Sequence, residues 1–281
     1  TIGGAATGPW AGFAEDSRRT LGAQMTLAMG QPHVFVPRKL FGPWWEPFGN
    51  NEPSSLYDTS PLYDTLGSML DFERLNAGPT RFSATAVDLE RGRDVVFDTR
   101  KGRVDAKHLR ASSAMLPAFP PVEIGGTLFA DAGMSANLPI DVVLAEPPAG
   151  PTLCLAVDLL PLQAPPPKTL GEAAERMQDL MFANQGRRAI EGWQRFYDLR
   201  NASRAPDDTE GPAVTLVHLA YGAQAPEVCG KAFDFSPESA GYRWEQGYLD
   251  MNAVLARLRA GEFALGTAGL SVHAFHGQVP T

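Results

Sequence analysis

Cysteine is nearly missing from this chain: only Cys154 and Cys229 occur in 281 residues. So distant a pair forms neither a disulfide framework nor a metal site. Long apolar runs are missing too, and none approaches the ~20 residues that span a membrane. Positive charge is in deficit, with 24 Lys and Arg against 32 Asp and Glu, for a net charge of −8. No basic cluster offsets it, which excludes nucleic acid as an expected partner. Neither a phosphate-cradling P-loop nor a dinucleotide fingerprint is present, so no cofactor is expected. His273 and His276 sit in a Gly-rich end at a spacing too weak to make metal ligands. No signal peptide is visible, and a cytoplasmic location is the expectation; a processed N-terminus sheds its leader, so this excludes little.

What remains is ordinary globular composition, 44% hydrophobic and 20% charged, in a chain long enough for a sizeable core. Asp16 to Met29 reads as a helix with Leu21, Met25 and Ala28 on one face and Gly30 at its end. A Pro- and aromatic-rich stretch, Gln31 to Pro53, holds Phe35, Phe41, Trp44, Trp45 and Phe48. Ser60-Pro61 opens a helix marked by Leu62, Leu66, Met69 and Leu70 that stops before Gly78-Pro79. Arg81 to Leu89 and Asp94 to Thr99 read as a hairpin about Arg91-Gly92, and Asp105 to Ala114 as a short helix carrying Ser112 and Ser113. Leu153 to Leu159 is expected to be a buried strand, because its apolar run is continuous. The stiff Pro165-Pro166-Pro167 follows, and then Thr169 and Glu172 make a capping box. That helix is marked by Ala173, Met177, Leu180 and Met181 and continues through Ile190, Trp193 and Phe196, with Gly186 as its weak point. Val214 to Leu219 alternates as a strand, with His218 as a hydrogen-bonded structural residue, and Ser236-Pro237 starts a last helix running to Gly261.

The chemistry gathers in the middle. The run Arg110-Ala111-Ser112-Ser113-Ala114-Met115-Leu116-Pro117-Ala118-Phe119-Pro120-Pro121 is followed by Phe129-Ala130-Asp131-Ala132-Gly133 and by Asn137-Leu138-Pro139. Between them, Val122 to Phe129 reads as two short strands joined at Gly125-Gly126, a pair suited to the positive φ of a tight hairpin. The second strand ends on Asp131, which places a carboxylate at the mouth of a rigid element. Ser112 and Ser113 are candidate hydroxyls, but residues of this kind more often bond nearby backbone.

Those blocks, in that order and spacing, resemble the second half of the patatin-like phospholipases. Phe82-Ser83-Ala84-Thr85-Ala86-Val87-Asp88-Leu89, with Gly92 and Val95-Val96-Phe97, belongs to the same pattern, and the resemblance is continuous from about Pro32 to Asp141. Gln31-Pro32 to Arg38, Leu56-Tyr57-Asp58-Thr59 and the tail are similar to a bacterial subfamily with an extra C-terminal region of unassigned role. The resemblance implies a three-layer α/β/α hydrolase fold, with residues 1–160 as the later part of the catalytic domain and 161–281 as the family-specific region packed on it. It also implies an ester hydrolase working through a Ser–Asp dyad, with Asp131 in the place of the base and Ala132 and Gly133 as the turn that supports it and the oxyanion. A hydroxyl is a poor nucleophile until a base takes its proton, and a carboxylate is a weak base unless partial burial raises its pKa. In such a protein the Gln31–Pro53 stretch reads as a lid or acyl-chain wall, or as an irregular arm packed on the core or on a companion chain.

Two departures stand out. Ala132 replaces the first Gly of the family's turn, at a cost of ~1 kcal/mol if that position needs positive φ. More seriously, no Gly-x-Ser-x-Gly elbow occurs anywhere. Gly4-Ala5-Ala6-Thr7-Gly8 has the outline with Ala6 at its centre, but Pro9-Trp10 follows and the segment reads as a loop. The chain begins with Thr1, consistent with processing of a precursor. The expected partners are therefore a companion chain bearing the elbow and an acyl ester or lipid, met through peripheral membrane contact. Two other readings compete: an N-terminal-nucleophile hydrolase using Thr1 and its own amine, and a patatin-like binding protein without catalysis.

Overall fold

The computed structural model describes residues 11–38, 55–203, 211–222, 227, 230–263 and 265–276. Thr1, the Gly4–Gly8 outline, the aromatics Phe41, Trp44, Trp45 and Phe48, and Cys229 lie outside the described residues. Helix α1 (Ala11–Met29) leads to β1 (Val36–Pro37), which pairs antiparallel with β2 (Tyr57–Asp58); α2 (Ser60–Met69) and α3 (Phe72–Ala77) follow. The next elements are β3 (Ser83–Asp88), β4 (Arg93–Asp98), α4 (Ala106–Ser112), β5 (Val122–Ile124) and β6 (Thr127–Asp131). After the short α5 (Gly133–Ala136) and α6 (Asp141–Leu144) come β7 (Thr152–Asp158), α7 (Leu170–Ala202), β8 (Ala213–Ala220), α8 (Pro237–Arg259) and β9 (Gly269–His276). The fold is α/β.

Two sheets carry the chain. The first is four-stranded and antiparallel in the order β4-β3-β6-β5. Its hairpins turn where the sequence places them: Gly92, Gly125 and Gly126 all have positive φ, which glycine reaches without the penalty a Cβ imposes. Helix α4 packs on it through Ala111, and Ala114 just beyond the helix joins Ala86, Val122 and Phe129 in one buried cluster. The Asp105 side chain caps α4, while the His108 ring returns a bond to the Asp105 backbone N–H, closing a capping box. Phe119, from the Pro-rich run, stacks against Phe35 and Tyr57 and so ties that run to the β1–β2 arm.

The second sheet is three-stranded and parallel, β7-β8-β9, and each connection is a crossover helix. Helix α7 covers one face, where Ile190 and Tyr197 meet Ala156, Val214, Leu216 and Leu270. Helix α8 covers the other, where Val254 meets Val217 and Leu219. This half is therefore layered α/β/α.

Two expectations need correction. The β7 run is buried on one face only: Leu153, Leu155 and Val157 alternate with the covered side and are exposed. The reason is coverage, since α8 lies over β8 and β9 and nothing described lies over β7. On α1 the expected stripe is reversed. Leu21 and Met25 are exposed, while Ala23 and Arg19 face inward, because Arg19 donates from Nε to Ser239 Oγ (2.8 Å) and to Asp234 Oδ2 (3.2 Å) and pins that face to the start of α8. On α7, Met177 and Met181 are exposed, and the buried line runs Asp179, Ala183, Gly186, Ile190, Tyr197.

Candidate active site

Asp131 is the last residue of β6 and lies opposite Ala86 of β3, so the β3–β6 ladder fixes its Cα. Its own N–H donates to the Ala114 carbonyl (3.0 Å), anchoring it to the segment that follows α4. The chain then turns at once into α5. The Gly133 N–H donates to Asp131 Oδ1 at 2.7 Å, an Asx turn that sets the direction of the carboxylate. Among the described residues this is the one hydrogen bond the carboxylate accepts, and its second oxygen is left for another donor. Burial raises the Asp131 pKa above the ordinary carboxylate value, and the Gly133 bond opposes that rise. A partly desolvated, singly bonded acid of this kind is a better proton acceptor than a surface aspartate.

The turn explains which glycine is replaceable. Ala132 has φ −70° and ψ −12°, right-handed helical values that any residue adopts, so the strain the sequence suggested is not there. Its methyl is buried. Gly133 is needed for space instead: a Cβ there would lie 3.1 Å from Asp131 Oδ1 and 3.3 Å from Asn137 Oδ1. Since the Gly133 N–H is engaged by the carboxylate, this residue supports the turn directly.

Helix α7 braces the far side of the turn. Gln185 Oε1 accepts from the Asn137 N–H (3.0 Å), and its Nε2 reaches the Met134 carbonyl at 3.5 Å. At the next residue, Gly186, a Cβ would meet Asp158 Oδ2 at 3.1 Å and Leu138 at 3.2 Å. A contiguous path thus runs from the C-terminal end of β7 through α7 to the aspartate. Nothing in the sequence singles out Gln185, because a glutamine in a long helix has no pattern. A lone Gly in a helical run is a signal of close packing, which is the meaning Gly186 takes here.

Asp131 opens onto a cavity of about 1040 Å³, large enough for an extended apolar chain or a peptide segment. Ser83, Ser112 and Ser113 line the same cavity. None of their hydroxyls bonds the carboxylate among the described residues, and Ser113 Oγ instead donates to the Leu109 and Arg110 carbonyls at 3.2 Å. His218 stands apart. Its Nε2 is buried, lies 3.6 Å from Asp158 Oδ2 and makes no hydrogen bond, where a hydrogen-bonded ring was expected. Among the described residues no group of His, Cys, Asp and Glu could hold a metal, and no helix is long and apolar enough to cross a membrane.

A model of patatin-like phospholipases matches residues 2–144, across β1 to α6 and the Asp131 turn. The chain belongs to the patatin-like phospholipase family. A second model, of patatin phospholipases, matches residues 198–262, from the end of α7 to the end of α8. No curated protein matches the chain. Membership of the patatin-like phospholipases supports a lipid hydrolase function. The two matched stretches contain the Asp131 turn and α8, respectively.

Proposed function

We propose that this protein cleaves acyl esters of lipids as the aspartate half of a Ser–Asp dyad, with Asp131 as general base and the nucleophilic serine on a polypeptide segment other than these 281 residues. The observation that supports it most is the Asp131 carboxylate itself: half-buried, with raised pKa, one oxygen held by Gly133, and facing a cavity where no serine hydroxyl is hydrogen-bonded to it among the described residues.

In the reaction the serine oxygen attacks the acyl carbon while its proton passes to the free oxygen of Asp131. Collapse of the tetrahedral adduct breaks the bond to the alkoxy oxygen, and Asp131 returns the proton to that leaving group. A water molecule then repeats the cycle on the acyl-enzyme, giving up its proton to Asp131 and releasing the carboxylic acid and the restored serine. The turn through Ala132 and Gly133 keeps the carboxylate in place, and Gln185 keeps the turn in place. The oxyanion donors belong to the segment that brings the serine, since the Gly133 N–H is already engaged.

Intact-mass analysis of active material tests the division of labour. Two species, or one species longer than this chain, are expected. A single species with the mass of this chain alone, still turning over esters, removes the second segment.

A further inference from the structure

We infer that Arg100 selects the substrate: the Asp131 cavity takes an acyl ester whose alcohol portion carries an anionic group, a phosphodiester or a carboxylate, and the Arg100 guanidinium binds that group. The inference rests on the dyad reading above and names the ester on which Asp131 acts.

Among the described residues the charged side chains on this cavity are Arg81, Arg100, Asp131 and Glu146. Arg81 is already committed. Its Nε donates to Asp98 Oδ2 at 2.8 Å, and its Nη2 donates to the same oxygen. The attraction of Glu146 also falls on it, so one cation serves two acids. Arg100 serves none: its side chain is exposed and makes no hydrogen bond or ion pair among the described residues. Its backbone, by contrast, is held. The Arg100 N–H donates to Asp98 Oδ1 at 2.9 Å, and the Lys101 and Gly102 N–H groups both donate to the Asp98 carbonyl at 2.9 Å. Buried Asp98 thus keeps both arginines on one wall, with its own charge met by Arg81 and that of Arg100 left over.

The local charge shows what Arg100 contributes. Without it the cavity and its wall hold one cation, Arg81, against Asp98, Glu146 and Asp131, a set that repels an anion. With it, a guanidinium free of any acid faces the cavity. Its paired N–H donors match the oxygens of a phosphate or a carboxylate. The Ser83 hydroxyl on the same wall bonds no other group among the described residues and is available as a further donor. Pro139, Val142 and Val143 supply the apolar surface that an acyl chain needs. The register then sets the spacing. Asp98 pairs with Ser83 and Asp131 with Ala86, so the two rows stand ~10 Å apart along β3. The Arg100 turn therefore lies several bonds away from the scissile carbonyl, and its guanidinium acts on binding rather than on the reacting atoms.

Matched esters test the assignment. Decanoyl glycerol, which is uncharged, is compared with decanoyl glycerophosphomethanol and decanoyloxybutyrate, using the protein produced with whatever segment supports its ester turnover. A charged ester should be preferred. Arg100→Gln should lower the ratio of charged to uncharged kcat/KM by ~10-fold or more, mostly through KM, as loss of a charge-assisted bond does. Arg100→Lys should restore part of the preference. Lys101→Gln removes the adjacent cation, which does not line the cavity, and should leave the ratio alone. Whether the phosphodiester or the carboxylate responds identifies the anion. No preference for either charged ester, or an equal loss in Lys101→Gln, overturns the role of Arg100. The decyl ether counterparts, which cannot be cleaved, separate this role from the dyad. If Arg100→Gln weakens binding of the charged ethers alone while ester turnover proves independent of Asp131, the dyad falls and Arg100 stands. Asp131-dependent turnover with charged and uncharged ethers bound alike leaves the dyad and removes Arg100.

Discussion

Leu155 and Val217 face each other across the β7–β8 ladder, yet Val217 is fully buried and Leu155 is 42% exposed. Direct ladder partners share a face of the sheet, so this contrast places the boundary of the covered layer between two adjacent strands. The Asp131 turn lies at the end of the same sheet through Gly186 and Gln185. An uncovered strand face and the Asp131 turn thus lie at one end of the fold, joined through α7.

Asp131→Asn removes the proton acceptor and keeps the shape. Ester turnover is expected to fall by a factor of ~10²–10⁴, the usual weight of a positioned base. Far-UV circular dichroism should change little, because Asn still accepts the Gly133 N–H. Retained turnover in a folded variant assigns the base to another residue.

The acid limb of the pH profile should report the same carboxylate. Burial raises the Asp131 pKa, and only the ionised form accepts a proton, so kcat/KM is expected to fall with decreasing pH through an apparent pKa above the usual aspartate range. A limb at or below an ordinary aspartate value contradicts this. For stability the sign is opposite. With the folded value raised above the unfolded one, the contribution of this group is fully present below the unfolded pKa and is lost as pH rises through the folded pKa. Asp131→Asn should remove that loss, as urea titrations on either side of the window would show.

Ala132→Gly gains nothing from glycine's reach, because the position is already right-handed helical. It deletes a buried methyl and frees the unfolded chain, for an expected loss of ~1 kcal/mol with no rise in turnover. A higher denaturation midpoint in Ala132→Gly contradicts the assigned turn.

Two glycines of α7 should respond in opposite senses. At Gly192 nothing lies within 4 Å of an added Cβ, so Gly192→Ala should stabilise by ~0.5–1 kcal/mol through helix propensity alone. At Gly186 the Cβ meets Asp158 and Leu138 at 3.1–3.3 Å, and Gly186→Ala should cost ~1 kcal/mol net despite the same propensity gain. Turnover should fall with it, since the displaced Leu138 adjoins the Asn137 end of the Asp131 turn. Equal stabilisation in the two variants contradicts the close approach.

Much of this was legible in the residues. Gly125-Gly126 and Arg91-Gly92 marked hairpins because a positive φ has few substitutes for glycine, and the strand ending on Asp131 followed from them. Thr169 caps α7 as read, its side chain accepting from the Glu172 N–H, but the Glu172 carboxylate accepts from the Lys168 N–H instead of the Thr169 N–H, so the box is not reciprocal. The outward faces were not legible. Apolar spacing says which residues lie together and is silent on what covers them, so the β7 row read as buried although Leu153, Leu155 and Val157 are exposed, and the shared face of Leu21 and Met25 is exposed as well. The inward face of α1 is held by buried Arg19 against Asp234 and Ser239, partners separated from it by most of the chain, which no local pattern encodes. Gln185 acts by touching two backbone groups of a distant turn and has no sequence signature either.

Fluorophosphonate labelling with peptide mapping tests the central claim most directly. The account predicts one labelled serine, on a segment outside these 281 residues, and loss of that label in Asp131→Asn. A label on Ser83, Ser112 or Ser113, or a label untouched by Asp131→Asn, contradicts it.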